Sequence, residues 1–348
     1  MRTERIDPAS DTAAVRVCHE IYVAAARADG MRRPAMSPRA FLAWLRYGWT
    51  EDPSEAWLAR DDDGEACGWY QLTLPERENR HLADLNLVVA PPRRRAGLGN
   101  ALLGHAADRA RQAGRTLLTG HTEESSAGTA FARALGARPR LTGTFSVLRL
   151  GSIPPGHLAD LRRKAAAPAV GYSLVSWEGP TAEHRLVQVA ELLGIETDAP
   201  RAAGEEPQGW DAARVRAADQ RLADQGWRFY SIAARAERGG ALVAITQLGV
   251  DPLDPSWGIQ SLTAVAGPHR GHRLGLLVKV AMLELLAAHE PHLSQIQTLT
   301  AEGNEHMVAI NNEIGFTVLE RQTSWELETA RIPRPADLGA PGPGAAQP

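Results

Sequence analysis

The chain has 348 residues, 44% of them hydrophobic, and a formal net charge of −3. That length suits two domains, each with its own core, better than one, and the near-neutral charge gives no field that would draw the whole molecule to nucleic acid. No run of about 18 apolar residues offers a membrane span, and Cys18 and Cys67 stand too far apart and too few for a disulfide framework or a zinc ribbon, so both are expected as buried small hydrophobes.

Met1 to Ser10 is polar and lacks the apolar centre of a signal peptide, so a cytoplasmic protein is expected. Arg2 to Ile6 reads as a strand, followed by helices over Thr12 to Ala26 and Pro38 to Tyr47 and strands at Ala56 to Ala59, Gly68 to Leu74 and Ala83 to Val89. An Arg-rich turn then opens a long helix with Leu98, Leu102, Ala106 and Ala110 on one stripe. A strand at Thr116 to His121, a short helix at Ser126 to Leu135 and a strand near Thr144 to Leu150 close this half. Gly151 to Gly171 holds three prolines around a short basic helix and reads as a linker.

The same order then returns. Strand Tyr172 to Trp177 precedes helices Ala182 to Leu193 and Ala212 to Gln225 and strands Arg228 to Arg235, Ala241 to Leu248 and Gly258 to Val265. A second long helix carries Leu274, Val278, Ala281 and Leu285 at helical spacing and reads as amphipathic, with Lys279 and Glu284 breaking its apolar run. Lys279 and Lys164 are the only lysines. Strand Gln295 to Thr300, helix Glu305 to Glu313 and strand Phe316 to Leu327 complete the copy. The matched glycines Gly99 and Gly275 are 275 − 99 = 176 positions apart, so the chain is a single duplication. The expected domains are 1–150 and 172–330, joined by the linker 151–171. The Pro/Gly/Ala-rich segment 331–348 has too little apolar surface to fold and is expected to be disordered.

A glycine-containing turn that opens a helix after a strand suits a phosphate or pyrophosphate. The first N–H groups of a helix are unpaired and its dipole is positive there. Glycine lets backbone approach the ligand, and arginine adds charge-assisted bonds. The first copy has Arg94-Arg95-Ala96-Gly97-Leu98-Gly99, which fits (Arg/Gln)-x-x-Gly-x-Gly; the second has Arg270-Gly271-His272-Arg273-Leu274-Gly275, with Arg273 at the first glycine position. A dinucleotide fold would need GxGxxG in a βαβ unit, and a P-loop a Gly-Lys-Ser/Thr ending; neither is present.

This element order, the turn, and the short helix ending Leu135-Gly136-Ala137 or Ile314-Gly315-Phe316 together resemble the GNAT superfamily of N-acetyltransferases, once per half. The arrangement is similar to tandem members of that superfamily. The resemblance implies an α/β (α+β) fold of two GNAT-like domains, each a mixed, mostly antiparallel sheet with a splayed parallel strand pair, flanked by helices. It implies acetyl-CoA, or another acyl-CoA, held by Leu87, Val88, Val89 and Arg94 to Gly99 (Arg94, Arg95, Ala96, Gly97, Leu98, Gly99) in the first copy. In the second, Thr263, Ala264, Val265, Arg270, Gly271, His272, Arg273, Leu274, Gly275, Asn304 and Asn311 would hold it.

Asn304 resembles the family asparagine that helps hold the thioester arm, with Ser125 at that place in the first half. The tyrosine that many members use as general acid falls on Asn311 and Ala132, and the usual acidic base on Leu262 and Asn86. Substitutes near the same cleft are Asp84 or His121 in the first half and Glu302, His306 or Gln260 in the second. Because it keeps Asn304 and the Gly-Phe ending, the C-terminal copy is expected to be the active one, with Asn304, Glu302 and His306 as catalytic candidates and the oxyanion held by a backbone N–H near Val265. Trp44 and Trp49 fall where the family forms its acceptor wall.

The expected activity is transfer of an acetyl group from acetyl-CoA to the primary amine of a small molecule by direct attack. A non-catalytic CoA-binding structural or regulatory module is the alternative, favoured by the missing tyrosine and acid. His269-x-x-His272 and His289-x-x-His292 have no second pair to complete a metal site, so no metal is expected. The expected partners are a small-molecule amine, no nucleic acid and no membrane, with the chain a monomer or homodimer.

Overall fold

The computed structural model describes residues 1–48, 52–195, 200–251 and 253–334. The chain divides into two compact units: unit 1 is Met1–Arg140 with Thr323–Pro348, and unit 2 is Leu141–Gln322. The units are therefore not the consecutive halves that the repeat suggests, because most of the last strand of the first half belongs to unit 2 and the closing part of the last strand of the second half belongs to unit 1.

Unit 1 begins with β1 (Arg2–Ile6), α1 (Thr12–Ala28), α2 (Pro38–Tyr47), β2 (Ser54–Arg60), β3 (Ala66–Thr73) and β4 (Leu82–Val89), and continues with α3 (Leu98–Gln112), β5 (Leu117–Glu123) and α4 (Ala127–Ala134). β1 to β4 form an antiparallel ladder, and β5 joins β4 in parallel. Next to β5 comes β12 (Thr317–Glu328), whose closing residues belong to this unit. There Trp325 Nε1 donates to Thr122 Oγ1 at 2.7 Å, and Arg111 on α3 donates to the carbonyls of Thr329 and Ile332.

Ile332 is buried among Leu102, Ala106 and Leu118, so 331–334 extend the fold of unit 1 where a disordered tail was expected. The remainder of that expectation, 335–348, lies outside the described residues. One branched apolar side chain in an otherwise polar, proline-bearing stretch is too small a signal to read from sequence.

Unit 2 opens with most of β6 (Arg138–Arg149), a longer strand than the Thr144 to Leu150 expected. Then come α5 (His157–Ala166), β7 (Tyr172–Glu178), α6 (Leu186–Gly194), α7 (Ala212–Asp224), β8 (Arg228–Ala236), β9 (Leu242–Val250) and β10 (Trp257–Val265). α8 (Leu274–His289), β11 (Gln295–Ala301), α9 (Glu305–Ile314) and the start of β12 follow. β7 to β10 are antiparallel, β11 joins β10 in parallel, and β6 pairs antiparallel with β11 from Gln295↔Arg149 to Ala301↔Gly143.

Local chemistry sets the helix starts. Ser37 caps α2 with Pro38 in the first turn, Asp211 caps α7, Ser126 caps α4 and Asn304 caps α9, each side chain accepting a backbone N–H three residues on. The strands of each unit are covered on both faces. In unit 1, α3 covers Leu72, Ala83 and Leu118, while α1 and α2 cover Leu58 and Trp69. In unit 2, α8 covers Ala244 and Leu248, while α6 and α7 cover Ala233, Ile245 and Leu262.

The stripe expected on α3 is buried as Leu102, Ala106 and Ala110. α8 departs from its expected amphipathic character: it is buried from Leu274 to Leu283, Lys279 included. α5, from the segment read as a linker, packs Leu161 and Ala165 into the same core as α8, while Asn311 of α9 and Phe316 enclose Lys279. Cys18 and Cys67 are free and buried, and burial raises the Cys18 thiol to about 12. Among the described residues no helix is long and apolar enough to cross a membrane.

Candidate functional site

The two Arg-rich turns have the same backbone. After β4 and a short 3₁₀ turn, Arg94 is extended (φ −69°, ψ 159°) and Arg95 (φ 68°) and Gly97 (φ 81°) are left-handed. After β10, Arg270 is extended (φ −68°, ψ 159°) and Gly271 (φ 86°) and Arg273 (φ 54°) are left-handed. Each turn thus meets its two left-handed positions with one glycine and one arginine, in opposite order. This explains why the second turn tolerates Arg273: its backbone is the one that Gly97 adopts. Neither Gly97 nor Arg273 caps its helix through a side chain, so the first N–H groups of α3 and α8 keep their capacity for an anion.

The leading arginines also act alike. Arg94 Nε donates to the Val89 carbonyl and Arg270 Nε to the Val265 carbonyl, each at 3.3 Å, which ties the turn to the end of its strand. The guanidinium of Arg94 is further paired with Asp29 at the end of α1, and Arg273 with Glu313 on α9. His272 bonds the Pro168 carbonyl, and His269 the Tyr172 hydroxyl, so this His pair serves the fold of unit 2.

Gly99 and Gly275 also face a neighbouring helix. A β-carbon on Gly99 would stand 3.3 Å from the Phe131 ring of α4, and one on Gly275 would stand 3.1 Å from Ile310 of α9. These glycines let the following short helix pack against the long one.

Beside each turn the parallel strands part. β4 and β5 pair only from Leu82↔Leu117 to Asp84↔Thr119, and β10 and β11 only from Trp257↔Gln295 to Gln260↔Thr298. Beyond these points Leu87, Val88 and Val89, and likewise Thr263, Ala264 and Val265, stay paired on their other side to β3 and β9. One edge of each strand is therefore left open along a gap that leads to the turn. β10 also carries a bulge between Gln260 and Leu262, whereas β4 runs in unbroken register with β3.

The two gaps differ in their lining. In unit 1 Leu85, Leu87 and Val89 pack on the α3 side and Val88 on the α1 side, so alternation places Asp84 and Asn86 with Val88. Asp84 accepts from Thr119 Oγ1 at 3.0 Å, and its Oδ1 lies 3.9 Å from His121 Nδ1; both side chains are partly exposed. In unit 2 the corresponding face, toward α6, presents Leu262 and the half-exposed Leu299. On the other side of the bulge Gln260 lies on the α8 face, buried, and donates to Thr246 Oγ1 at 2.6 Å.

Among the C-terminal candidates, Asn304 spends its side-chain oxygen on Met307 N at 3.2 Å. The role matched to Ser125 in the first half belongs to its neighbour Ser126, which is buried and caps α4, while Ser125 is exposed. Glu302 and His306 are exposed at the start of α9, and no hydrogen bond joins them. Asn311 is buried and bonded to Lys279, which sequence reading noted only as a break in the apolar run of an amphipathic helix. Its signal was the rarity of lysine in this chain. Trp44 is buried against Phe41 and Trp69 as a core residue, and Trp49 lies outside the described residues.

A sequence model of the Acetyltransferase (GNAT) family matches residues 18–137. No curated protein matches the chain. Among solved structures, a tandem GNAT protein from the clavulanic acid biosynthesis pathway, determined without acetyl-CoA, is similar with a TM-score of 0.80 and 30% identity, over 94% of this chain and 98% of that one. A GCN5-related N-acetyltransferase from Sphaerobacter thermophilus shares the fold at a TM-score of 0.67 and 16% identity, over 96% of each chain. A GNAT-family acetyltransferase from Colwellia psychrerythraea does so at 0.56 and 10%, over 94% of this chain and 100% of that one. Two splayed strand pairs, two uncapped helix starts behind Arg-rich turns, and a relative of the same length and arrangement lead to one conclusion: the chain belongs to the GNAT acetyltransferase family, as a tandem member and an acyltransferase.

Proposed function

We propose that the chain transfers the acetyl group of acetyl-CoA, or a related acyl group, to the primary amine of a small molecule by direct attack, and that unit 1 carries out the transfer. The observation that carries this reading is the Asp84–His121 pair beside the β4–β5 gap. The acyl-CoA thioester supplies the electrophile. It would be held by the open edge of Leu87, Val88 and Val89 and by the turn from Arg94 to Gly99.

A lysine-like amine has a pKa of about 10.4 and arrives protonated, so attack needs a group that takes its proton. We read His121 as that group. Asp84, 3.9 Å from its Nδ1, stabilises the imidazolium once formed by its charge, while Thr119 holds Asp84 in place. An unpaired backbone N–H at the end of β4 serves the oxyanion. A small-molecule acceptor is also in keeping with the tandem relative, which comes from the biosynthetic pathway of a small molecule.

In unit 2 Leu262 and Leu299 replace the polar face, and that unit is read as binding acyl-CoA without turnover through Thr263, Ala264, Val265 and the turn from Arg270 to Gly275. A second reading puts transfer in unit 2, with Asn304, Glu302 and His306 as the acting residues. The β10 bulge favours it, because bulges re-aim strands beside active sites.

Release of free CoA with a panel of amines separates the readings. His121→Ala should lower kcat/KM by about 10²–10⁴-fold, and Asp84→Asn should follow it, while Glu302→Gln with His306→Ala leaves turnover intact. The reverse pattern would move catalysis to unit 2. Acetyl-CoA binding without turnover of any amine would leave a non-catalytic module.

A further inference from the structure

Lys279 is one of two lysines in the chain, and it is only 2% exposed. It sits on α8 with its Nζ 4.9 Å from the centre of the Phe316 ring, and its hydrogen bond runs to Asn311 Oδ1 at 2.6 Å. The charged groups on the elements around it are engaged elsewhere or exposed. Glu284 faces Arg162, Glu290 is held by Arg228 and Tyr230, Glu313 pairs with Arg273, and Asp160 pairs with Arg163. His289 bonds the Leu285 carbonyl, and Lys164, Arg235, Glu305 and His306 are exposed.

Burial alone pushes the Lys279 amine down to about 7. The fold does not require an amine at this point: the equivalent position in the other repeat, 279 − 176 = 103, is the buried Leu103.

The hydrogen bonds around Lys279 have a direction. An ammonium only donates, so Asn311 must turn its oxygen toward Lys279 and its Nδ2 toward Thr300 Oγ1, 3.2 Å away. Thr300 is thereby an acceptor, and its own proton has no acceptor among the described residues. Thr300 lies on β11 beyond Thr298, the last residue paired with β10, and so borders the gap. Across the gap Gln260, Thr246 and Thr263 form a linked polar chain, where unit 1 has Leu85 and Leu87.

We infer that Lys279 is a positioning residue for the acyl-CoA arm in unit 2: through Asn311 it holds the Thr300 hydroxyl as a hydrogen-bond donor into the β10–β11 gap, where the amide-bearing arm of an acyl-CoA supplies the acceptor. This rests on the reading that unit 2 binds acyl-CoA. When Lys279 gives up its proton to solvent, the neutral amine keeps two N–H donors but gains a lone pair, so Asn311 is no longer held in one orientation. In the turned-over amide Nδ2 donates to Lys279, and Thr300 donates to Asn311 Oδ1 instead of to the ligand. Affinity in unit 2 therefore falls as pH rises through the titration of Lys279. Unit 1, with Leu103 and Ala132 at these places, lacks the effect.

The test is calorimetric titration of the full chain with acetyl-CoA across about two pH units centred on the Lys279 value. In the unaltered protein one of two sites should lose affinity about tenfold over that window. Lys279→Met, of similar length and apolar, should abolish the dependence and leave the other site unchanged. Two sites whose affinities and pH profiles are the same in Lys279→Met as in the unaltered protein would overturn the inference alone. A single site in the unaltered protein would overturn the cofactor reading of unit 2, and the inference with it. Should Lys279→Met not fold, Thr300→Val keeps the volume and removes only the hydroxyl. It should weaken that site at low pH and flatten its profile, and an unchanged profile overturns the inference.

Discussion

Ile310 Cδ1 stands 3.1 Å from the point where a β-carbon on Gly275 would lie. Gly275 therefore holds α9 against α8, whatever ligand the turn receives. Gly275→Val should destabilise unit 2 by about 1–3 kcal/mol through overpacking, read as a lower urea midpoint. Adding Ile310→Ala should recover part of that loss, because it removes the opposing atoms. If the double variant is as unstable as the sum of the single ones, the contact is not the cause.

The left-handed positions of the two turns make a matched set. Gly97 and Gly271 have φ of 81° and 86°, and a β-carbon on either would meet nothing within 4 Å. Alanine there isolates the backbone cost, about 1–2 kcal/mol of lost stability. Arg95→Gly and Arg273→Gly, at φ 68° and 54°, should go the other way and stabilise by roughly 0.5–1 kcal/mol. Denaturant melts of the four variants check the signs. Four changes of one sign would contradict the shared geometry.

Lys279 also shapes the pH dependence of stability. Its folded value of about 7 lies below its ordinary 10.5, so between the two the unfolded chain holds a proton that the folded chain does not. Stability contributed by this group therefore rises with pH across that window. Below it the amine is charged in both states, and its full burial cost applies. Lys279→Met should stabilise the protein by a few kcal/mol at acid pH and progressively less as pH rises. Urea unfolding of both proteins at about pH 6 and about pH 9 measures the difference. An equal gain at both would place the cause outside titration.

The exchanged chain ends give a prediction remote in sequence from its effect. Ile332 is buried with Leu102 and Leu118, and Arg111 grips the carbonyl groups of Thr329 and Ile332. Ile332→Ala should cost about 2–4 kcal/mol and raise hydrogen exchange in β4, β5 and α3 of unit 1. Faster exchange confined to β10, β11 and α8 would show that the chain end serves unit 2 instead.

The sequence alone specified what repeats locally. The strand, Arg-rich turn and helix around Gly99 and Gly275, the helix starts at Ser37 and Asp211, and the stripe of Leu102, Ala106 and Ala110 are set by residues a few positions apart, and their spacing can be read without the fold. Only the tertiary structure decided which strand completes which unit, because the pairing of β6 with β11 and the docking of Ile332 join residues more than a hundred positions apart. The same holds for the site. His121 and Asp84 meet only where β5 lies beside β4, and Lys279 is buried because Asn311 of α9 and Phe316, more than thirty positions away, close over it. Spacing along a chain fixes which face of an element a residue is on; what covers that face is set by packing between distant segments.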